Sequence, residues 1–434
     1  MVRQESANTY GLRLRRKIAD IPVRVVEFNR RAAEDFTIFL LPLVQSLMRS
    51  FSKLGTVLLL LGLSIPSGSA HEVDQYSPPA GERLQDLGPY WDQLMYRVVC
   101  DGVAQANRGI DAVKNSWIPD PGGGRLALSQ NPTTLTKCVR LQLPSAMALI
   151  ENMEHKIAET DGRDIETGRL LAYRPGVAQS VYLPAARLRG MRYWNRLSFM
   201  RSSTIQLHGH YVGTDKIGHF FAMGYYYYNV YQAARVLGKT HEESLQQAAD
   251  ICGWTTENSF LGLTSTAIYS NADLAANYLG LKFYLNLYQP VKIAGQMEPA
   301  IVVRDGDYWK IRDGLHQHSP LFANYISAHW DEVLNPCHLE ASFREYTRKE
   351  IFSRRNVLLN WYAGNDPRRR TKAYFNNIMT HTETYYGENY GHSGAEAHQL
   401  GIGQICFETT ADAAGVVVRG NQRRIKLREP QANR

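Results

Sequence analysis

Residues 214–237 constrain the fold of this chain more than any other segment. They read as a helix that is apolar nearly all round, includes the run Tyr225 to Tyr228 and ends at Gly238. A helix of that kind is buried inside a protein; its tyrosines would also suit a membrane interface, but His219, Asn229 and Gln232 weigh against a lone span. Its neighbours are helical too. Thr240 followed three residues later by Glu243 is a capping box that opens the next helix. A third helix covers residues 271–288 and stops before Pro290. Helical spacing recurs over residues 90–110, 144–159, 321–334 and 339–362. One stretch differs: Asp305-Gly306 divides Ile301-Val302-Val303 from Tyr308-Trp309-Lys310-Ile311, the signature of a β-hairpin. The expected fold class is mainly α, a helical bundle with a small β-hairpin insertion and an irregular C-terminal region.

Upstream, Arg49 and Lys53, the apolar run Thr56 to Leu63, and the small residues Gly68 and Ala70 follow the order of a secretory signal peptide, with cleavage after Ala70. The run is shorter than the roughly 20 residues of a membrane-spanning helix. Residues 48–70 are therefore read as the signal peptide, with Met48 as the start, and residues 1–47 as an upstream extension or mis-called start; a signal anchor is the alternative. Residues 71–365 form a mainly helical domain. Residues 366–434 form a C-terminal lobe or extended arm with a basic tail. The expected location is exported, periplasmic or extracellular, with no cysteine at the cleavage point to carry a lipid.

The net charge of +8 would suit a nucleic-acid binder, but residues 1–70 hold ten Lys/Arg against five Asp/Glu, leaving 39 basic and 36 acidic residues beyond them. That balance excludes a nucleic-acid partner and leaves a membrane surface or an envelope lipid or glycan. The five cysteines all follow Ala70, irregularly spaced and without a CxxC pair, so neither a zinc ribbon nor a thioredoxin-like site is indicated. An oxidising compartment permits disulfides, and the odd count leaves at least one thiol unpaired in a monomer.

Chemistry concentrates in His208-Gly-His210-Tyr-Val-Gly-Thr-Asp215-Lys216-Ile-Gly-His219. On a helix Asp215 and His219 stand one turn apart and share a face, so the carboxylate can orient the imidazole. Asp215 reads equally well as a helix N-cap, and His219 as a hydrogen-bonded core histidine. A second pair, Asp273 and Asn277, is again one turn apart. Ser270 and Asp273 make a capping box, but Asn277 is a weak helix former on an apolar helix and needs a buried partner. Asp215 or His219 would serve, and Glu257 would complete the cluster. If His208 and His210 lie on one face of a strand, they with Asp215 and His219 supply ligands for a divalent ion such as zinc, whose bound water would hydrolyse a substrate. A second histidine group, His381, Glu383, His392, Glu396 and His398, lies among glycines and reads as a solvated or hydrogen-bonded cluster. His316 and His318 read as surface. No GxSxG or SxxK marks a nucleophile.

The succession Asp215-Lys216-x-x-His219-Phe220, then Glu257, then Ser270-x-x-Asp273-x-x-x-Asn277-x-x-Gly280 resembles the VanZ-like group and the related small exported proteins of the YfiM type, over about residues 210–285. The resemblance implies an envelope-associated helical module whose Asp, His, Glu, Asp and Asn gather at one site. VanZ-like proteins are multi-helix membrane proteins and YfiM looks like a lipoprotein, whereas this chain has neither several clear spans nor a lipobox. Two functions fit: a binding or structural envelope protein with a packed polar network, or a hydrolase or transferase of an envelope lipid or glycan, with His219 as general base oriented by Asp215 or Asp273. They differ in whether the cluster is sealed in the core or floors a cleft.

Overall fold

Local side-chain chemistry starts several of the helices. In the computed structural model, which describes residues 72–144, 146–176, 178–182, 202–258, 262–263, 266–364, 371–393 and 400–408, Asp86 accepts the Gly88 amide at the head of α1 (Gly88–Lys114). The short α2 (Gly124–Ser129) precedes α3 (Pro132–Leu141), which Asn131 caps through the Thr133 amide, and α4 (Ala146–Glu159) follows. The expected extension, signal peptide and basic tail, with Glu396 and His398, lie outside the described residues.

Strands β1 (Ala172–Tyr173), β2 (Thr204–Leu207) and β3 (His210–Gly213) form an antiparallel sheet in that order. The chain then runs straight into α5 (Thr214–Gly218), a π-helical turn (His219–Met223) and α6 (Gly224–Val236). Helix α7 (His241–Glu257) begins with the expected capping box: the Thr240 amide donates to Glu243 at 2.8 Å and the Glu243 amide to the Thr240 hydroxyl at 3.2 Å. Strand β4 (Ile268–Tyr269) leads into α8 (Asn271–Asn286), capped by Ser270. Two hairpins follow, β5–β6 (Val291–Ile293, Gln296–Glu298) and the expected β7–β8 (Val302–Asp305, Tyr308–Ile311). Strand β9 (His338–Leu339) pairs with β4, and α9 (Ala341–Ser353), α10 (Arg355–Tyr362), α11 (Lys372–Thr382) and α12 (Ile402–Ile405) complete a mainly α chain. Among the described residues no helix is long and apolar enough to cross a membrane, and all five cysteines are free thiols.

The most buried helix is α8, in which all sixteen residues are shielded from solvent. The expectation for residues 214–237 needs correction: α6 buries one face only, and Asn229, Arg235 and Val236 reach solvent. Helix α8 can be buried all round because its polar residues find partners. Asn271 donates to the Pro336 carbonyl, Lys282 to the Lys292 carbonyl, and Asn286 both donates to the Pro299 carbonyl and accepts from the Tyr325 hydroxyl. Where α6 crosses α8, Gly224 and Gly280 let the backbones touch. A Cβ on Gly280 would stand 1.9 Å from the Phe220 carbonyl oxygen and 2.8 Å from the Gly224 Cα.

The helix expected over residues 321–334 is absent. Two 3-10 turns, Ala323–Tyr325 and Ala328–Trp330, stand there instead. Side chains take the amides that a helix would use: Asp92 accepts from Phe322 and Ala323, Ser327 from His329, and Asp331 from Val333 and Leu334. The result turns Glu332 into the core. Residues 371–393 pack back on the helices, with the Tyr390 hydroxyl bonded to Asn335, and the Tyr269 hydroxyl bonded to the Gly391 carbonyl.

Candidate functional site

The site is assembled by the handover from β3 to α5. Glu154 of α4 accepts from the Ser203 amide at 2.9 Å, the Ser203 hydroxyl at 2.8 Å and the Thr214 hydroxyl, and the Thr214 amide returns to the Ser203 carbonyl. That fixes the first residue of α5, so Asp215 and Lys216 enter the core from a helix start, where carboxylates are favoured. Asp215 occupies the first turn but is not the cap; the N-cap is Gly213.

Lys216 is fully buried, and its ammonium lies 2.7 Å from Asp215 Oδ2, 2.5 Å from Asp273 Oδ1 and 2.6 Å from Glu332 Oε1. His219, one turn on, has Nε2 3.1 Å from Asp273 Oδ2 and Nδ1 3.0 Å from Asn277 Oδ1. Asn277 in turn reaches the Tyr227 hydroxyl of α6 at 3.5 Å. Ser270 ties in two more acids: its amide donates to Glu257 Oε2 at 3.1 Å and its hydroxyl to Glu332 Oε1 at 3.1 Å, while the same hydroxyl accepts the Asp273 amide at 3.2 Å. Beside this polar group Phe220 packs its ring against Phe283, Phe322, Tyr325 and Trp330. The aromatic wall lowers the local dielectric, which strengthens every charge interaction next to it.

The structure therefore brings together Asp215, His219, Glu257, Asp273 and Asn277, residues that lie up to 62 positions apart in sequence. It separates His208 and His210 from them as metal ligands. Asp215, His219 and Asp273 each present one ligand atom, all within 4.8 Å of one another, and neither histidine of the His-x-His pair belongs to that group. The single-strand expectation for the pair fails because His208 and Gly209 are the two turn residues of the β2–β3 hairpin, with φ of 48° and 80°. Positive φ at both central positions is the two-residue turn that matches strand twist, and Asp86 fixes it by accepting both amides at 2.8 Å. His208 Nε2 faces Asp92 at 3.4 Å, and His210 begins β3. In the C-terminal group, His381 packs against His329 and Tyr386, and His392 against Tyr390. His316 and His318 are exposed, as expected.

Burial and charge divide the acids. Asp273 is held below the ordinary carboxylate range, because His219 and Lys216 overcome the upward push of desolvation. Desolvation raises the others: Glu257 to about 8, with Asp273 adding to the push, and Glu332 to about 7, against the pull of Lys216. Asp215 is raised for the same reason, and Glu72 is pushed well up by burial and by Asp273 and Glu332. Desolvation would lower His219, but Asp273 outweighs it and holds the imidazole at about 9. Asp215, Asp273 and Glu332 likewise keep Lys216 charged despite its burial. Five acids thus face two cations, and the carboxyls that burial raises take up protons more readily than free ones do.

The chain matches no family model, no curated protein and no solved structure.

Sequence reasoning missed Glu332 and Glu72 as members of the site. Glu332 sits in a segment with helical spacing that the tertiary fold opens into turns, so no local signal marks it. Glu72, in a short polar stretch at the edge of the described residues, is buried beside Val73 and Tyr76. Lys216 stands in the motif, but only the three-dimensional gathering of acids reveals it as the centre.

Proposed function

We propose that this is an exported cell-envelope protein, a helical bundle with a binding or structural role, in which the buried Asp/His/Glu/Asn cluster is a fixed charge network. The observation that carries the reading is Lys216: one ammonium, shielded from solvent, joins carboxylates from the start of α5, the first turn of α8 and the turn at Glu332. A charge so buried is tolerated only with its partners in place, so the network specifies which segments meet. The order of basic, apolar and small residues over 48–70 and the VanZ-like succession over 210–285 support the envelope location. The partner is a membrane surface or an envelope lipid or glycan. The test combines location with mutation. The protein recovered from the envelope fraction is expected to begin at His71, and His219→Ala and Asn277→Ala are expected to lose about 1–3 kcal/mol each, with any envelope phenotype following that loss. A mature protein retaining residues before Met48, or a phenotype lost at full stability, overturns the reading.

The second reading, a hydrolase or transferase of an envelope lipid or glycan, has its own observation. His219 is the member of the cluster that reaches solvent, with 15% of its side chain exposed, and Asp273 and Asn277 hold both ring nitrogens. A general acid–base group needs that combination of access and orientation, and an imidazole held at about 9 takes the role of base in alkaline solution. Under this reading His219→Ala abolishes activity while the melting temperature stays near that of the parent.

A further inference from the structure

We propose that Asp215, His219 and Asp273 form a binding site for one divalent first-row transition-metal ion, with Asn277 orienting the histidine. The ion serves either reading above, as a fixed charge or as a Lewis acid. The inference is therefore tested by binding and not by activity.

Three observations carry it. The first is the ligand set: one imidazole nitrogen and two carboxylate oxygens from two helices, gathered within 4.8 Å. The separation between His219 Nε2 and Asp273 Oδ2 is 3.1 Å, close to the spacing of two ligands that share one tetrahedral ion with bonds of about 2.0–2.1 Å. Mixed nitrogen and oxygen donors suit zinc and its first-row neighbours better than calcium or magnesium, which take oxygen alone.

The second is the orientation of the imidazole. Asn277 Oδ1 lies 3.0 Å from His219 Nδ1, where a carbonyl oxygen accepts the Nδ1 hydrogen, so that Nε2 turns a lone pair to the ion once the ion displaces the proton shared with Asp273. A carbonyl behind the ring is the usual outer support of a metal-bound histidine.

The third lies outside the three ligands. Among the described residues, Glu257 Oε1 and both carboxylate oxygens of Glu72 are buried without a hydrogen-bond partner, and both side chains lie close enough to Asp273 to feel its charge. Buried carboxylate oxygens left bare mark a site short of positive charge. A divalent ion supplies it, and the exposed edge of His219 gives the way in.

The test uses the purified full chain, stripped with a chelator and titrated with Zn²⁺ by calorimetry, then with Co²⁺ while its visible absorption is recorded. One ion per chain and cobalt bands from a nitrogen- and oxygen-ligated site are expected. Asn277→Ala should weaken zinc binding by about 10–100-fold. His219→Gln, whose side chain lies at the solvent edge, should remove it, and so should Asp273→Asn. His208→Gln combined with His210→Gln should bind like the parent. No zinc binding and no cobalt bands in the parent, as expected if His219 is instead an imidazolium paired with Asp273, overturns the proposal. So does unchanged affinity in folded His219→Gln, or loss of the ion in the His208/His210 variant. Should the single-site variants fail to fold, the stoichiometry and cobalt spectrum of the parent decide the matter.

Discussion

Replacing Lys216 by methionine removes the ammonium and keeps most of the side-chain volume, so the change isolates charge from packing. Asp215, Asp273 and Glu332 then face one another with their common partner gone, at positions where Lys216 had stood 2.5–2.7 Å from each. Breaking a buried ion pair by deleting one partner costs about 3–5 kcal/mol, because the remaining charge is neither solvated nor paired. That is a large part of the roughly 5–15 kcal/mol that holds a typical domain folded. The stranded carboxyls can recover some of it by taking up protons, so the sign of the pH effect is fixed. Their folded-state pKa values rise above those of the unfolded chain, and the destabilisation is greatest at high pH and shrinks as pH falls. Urea unfolding of parent and Lys216→Met, followed by circular dichroism at pH 7.5 and pH 5, reads both quantities. The expected loss is about 3–5 kcal/mol at pH 7.5 and distinctly less at pH 5. Adding Asp215→Asn and Glu332→Gln to Lys216→Met should restore much of the stability, since of the three acids only Asp273 then keeps its charge, and His219 remains beside it as counterion. A loss below about 1 kcal/mol, or an equal loss at the two pH values, would refute the claim that this lysine organises the core.

In the metal-free parent, stability should be highest in mildly acidic solution and decline toward pH 9. His219, held at about 9 against an ordinary 6.5, contributes fully below 6.5 and loses its contribution as pH rises through 9. Glu257 and Glu332, raised to about 8 and about 7, hold protons that the unfolded chain has already released, so they act in the same direction; Asp273, lowered, contributes above its ordinary value and loses that contribution in acid. A melting temperature that is flat or rising between pH 6 and pH 9 contradicts this assignment. Gly280→Ala places a methyl group against the Phe220 carbonyl and the Gly224 Cα, a backbone clash expected to cost about 3 kcal/mol, at the upper end of overpacking. It should also move His219 away from Asn277, visible as a changed histidine ring environment by NMR; an unchanged spectrum argues that the α6–α8 crossing does not set the site.

Several elements were legible in the sequence because their causes are local. The capping box at Thr240, the Ser270 cap and the Asp305-Gly306 turn depend on side chains within three or four residues, and they stand where the sequence puts them, while the Ser270 amide donates to Glu257 instead of closing a box with Asp273. The pairing of Asp215 with His219 and of Asp273 with Asn277 also follows from helical spacing. That Asn277 requires a buried partner follows from its chemistry alone, and His219 is that partner. Other features depended on contacts across the chain. The π-helical turn and the backbone crossing at Gly224 and Gly280 set which faces of α6 and α8 meet. Asp92 and Asp331 take amides that would otherwise close a helix over residues 321–334, and the opened turns deliver Glu332 to Lys216. His-x-His looked like a ligand pair, but Asp86, over a hundred residues earlier, holds His208 and Gly209 as a hairpin turn. Sequence determined which residues cannot be buried alone; tertiary structure decided who accompanies them, because a buried charge is stabilised by whatever the fold brings within about 3 Å, and sequence distance does not enter that energy.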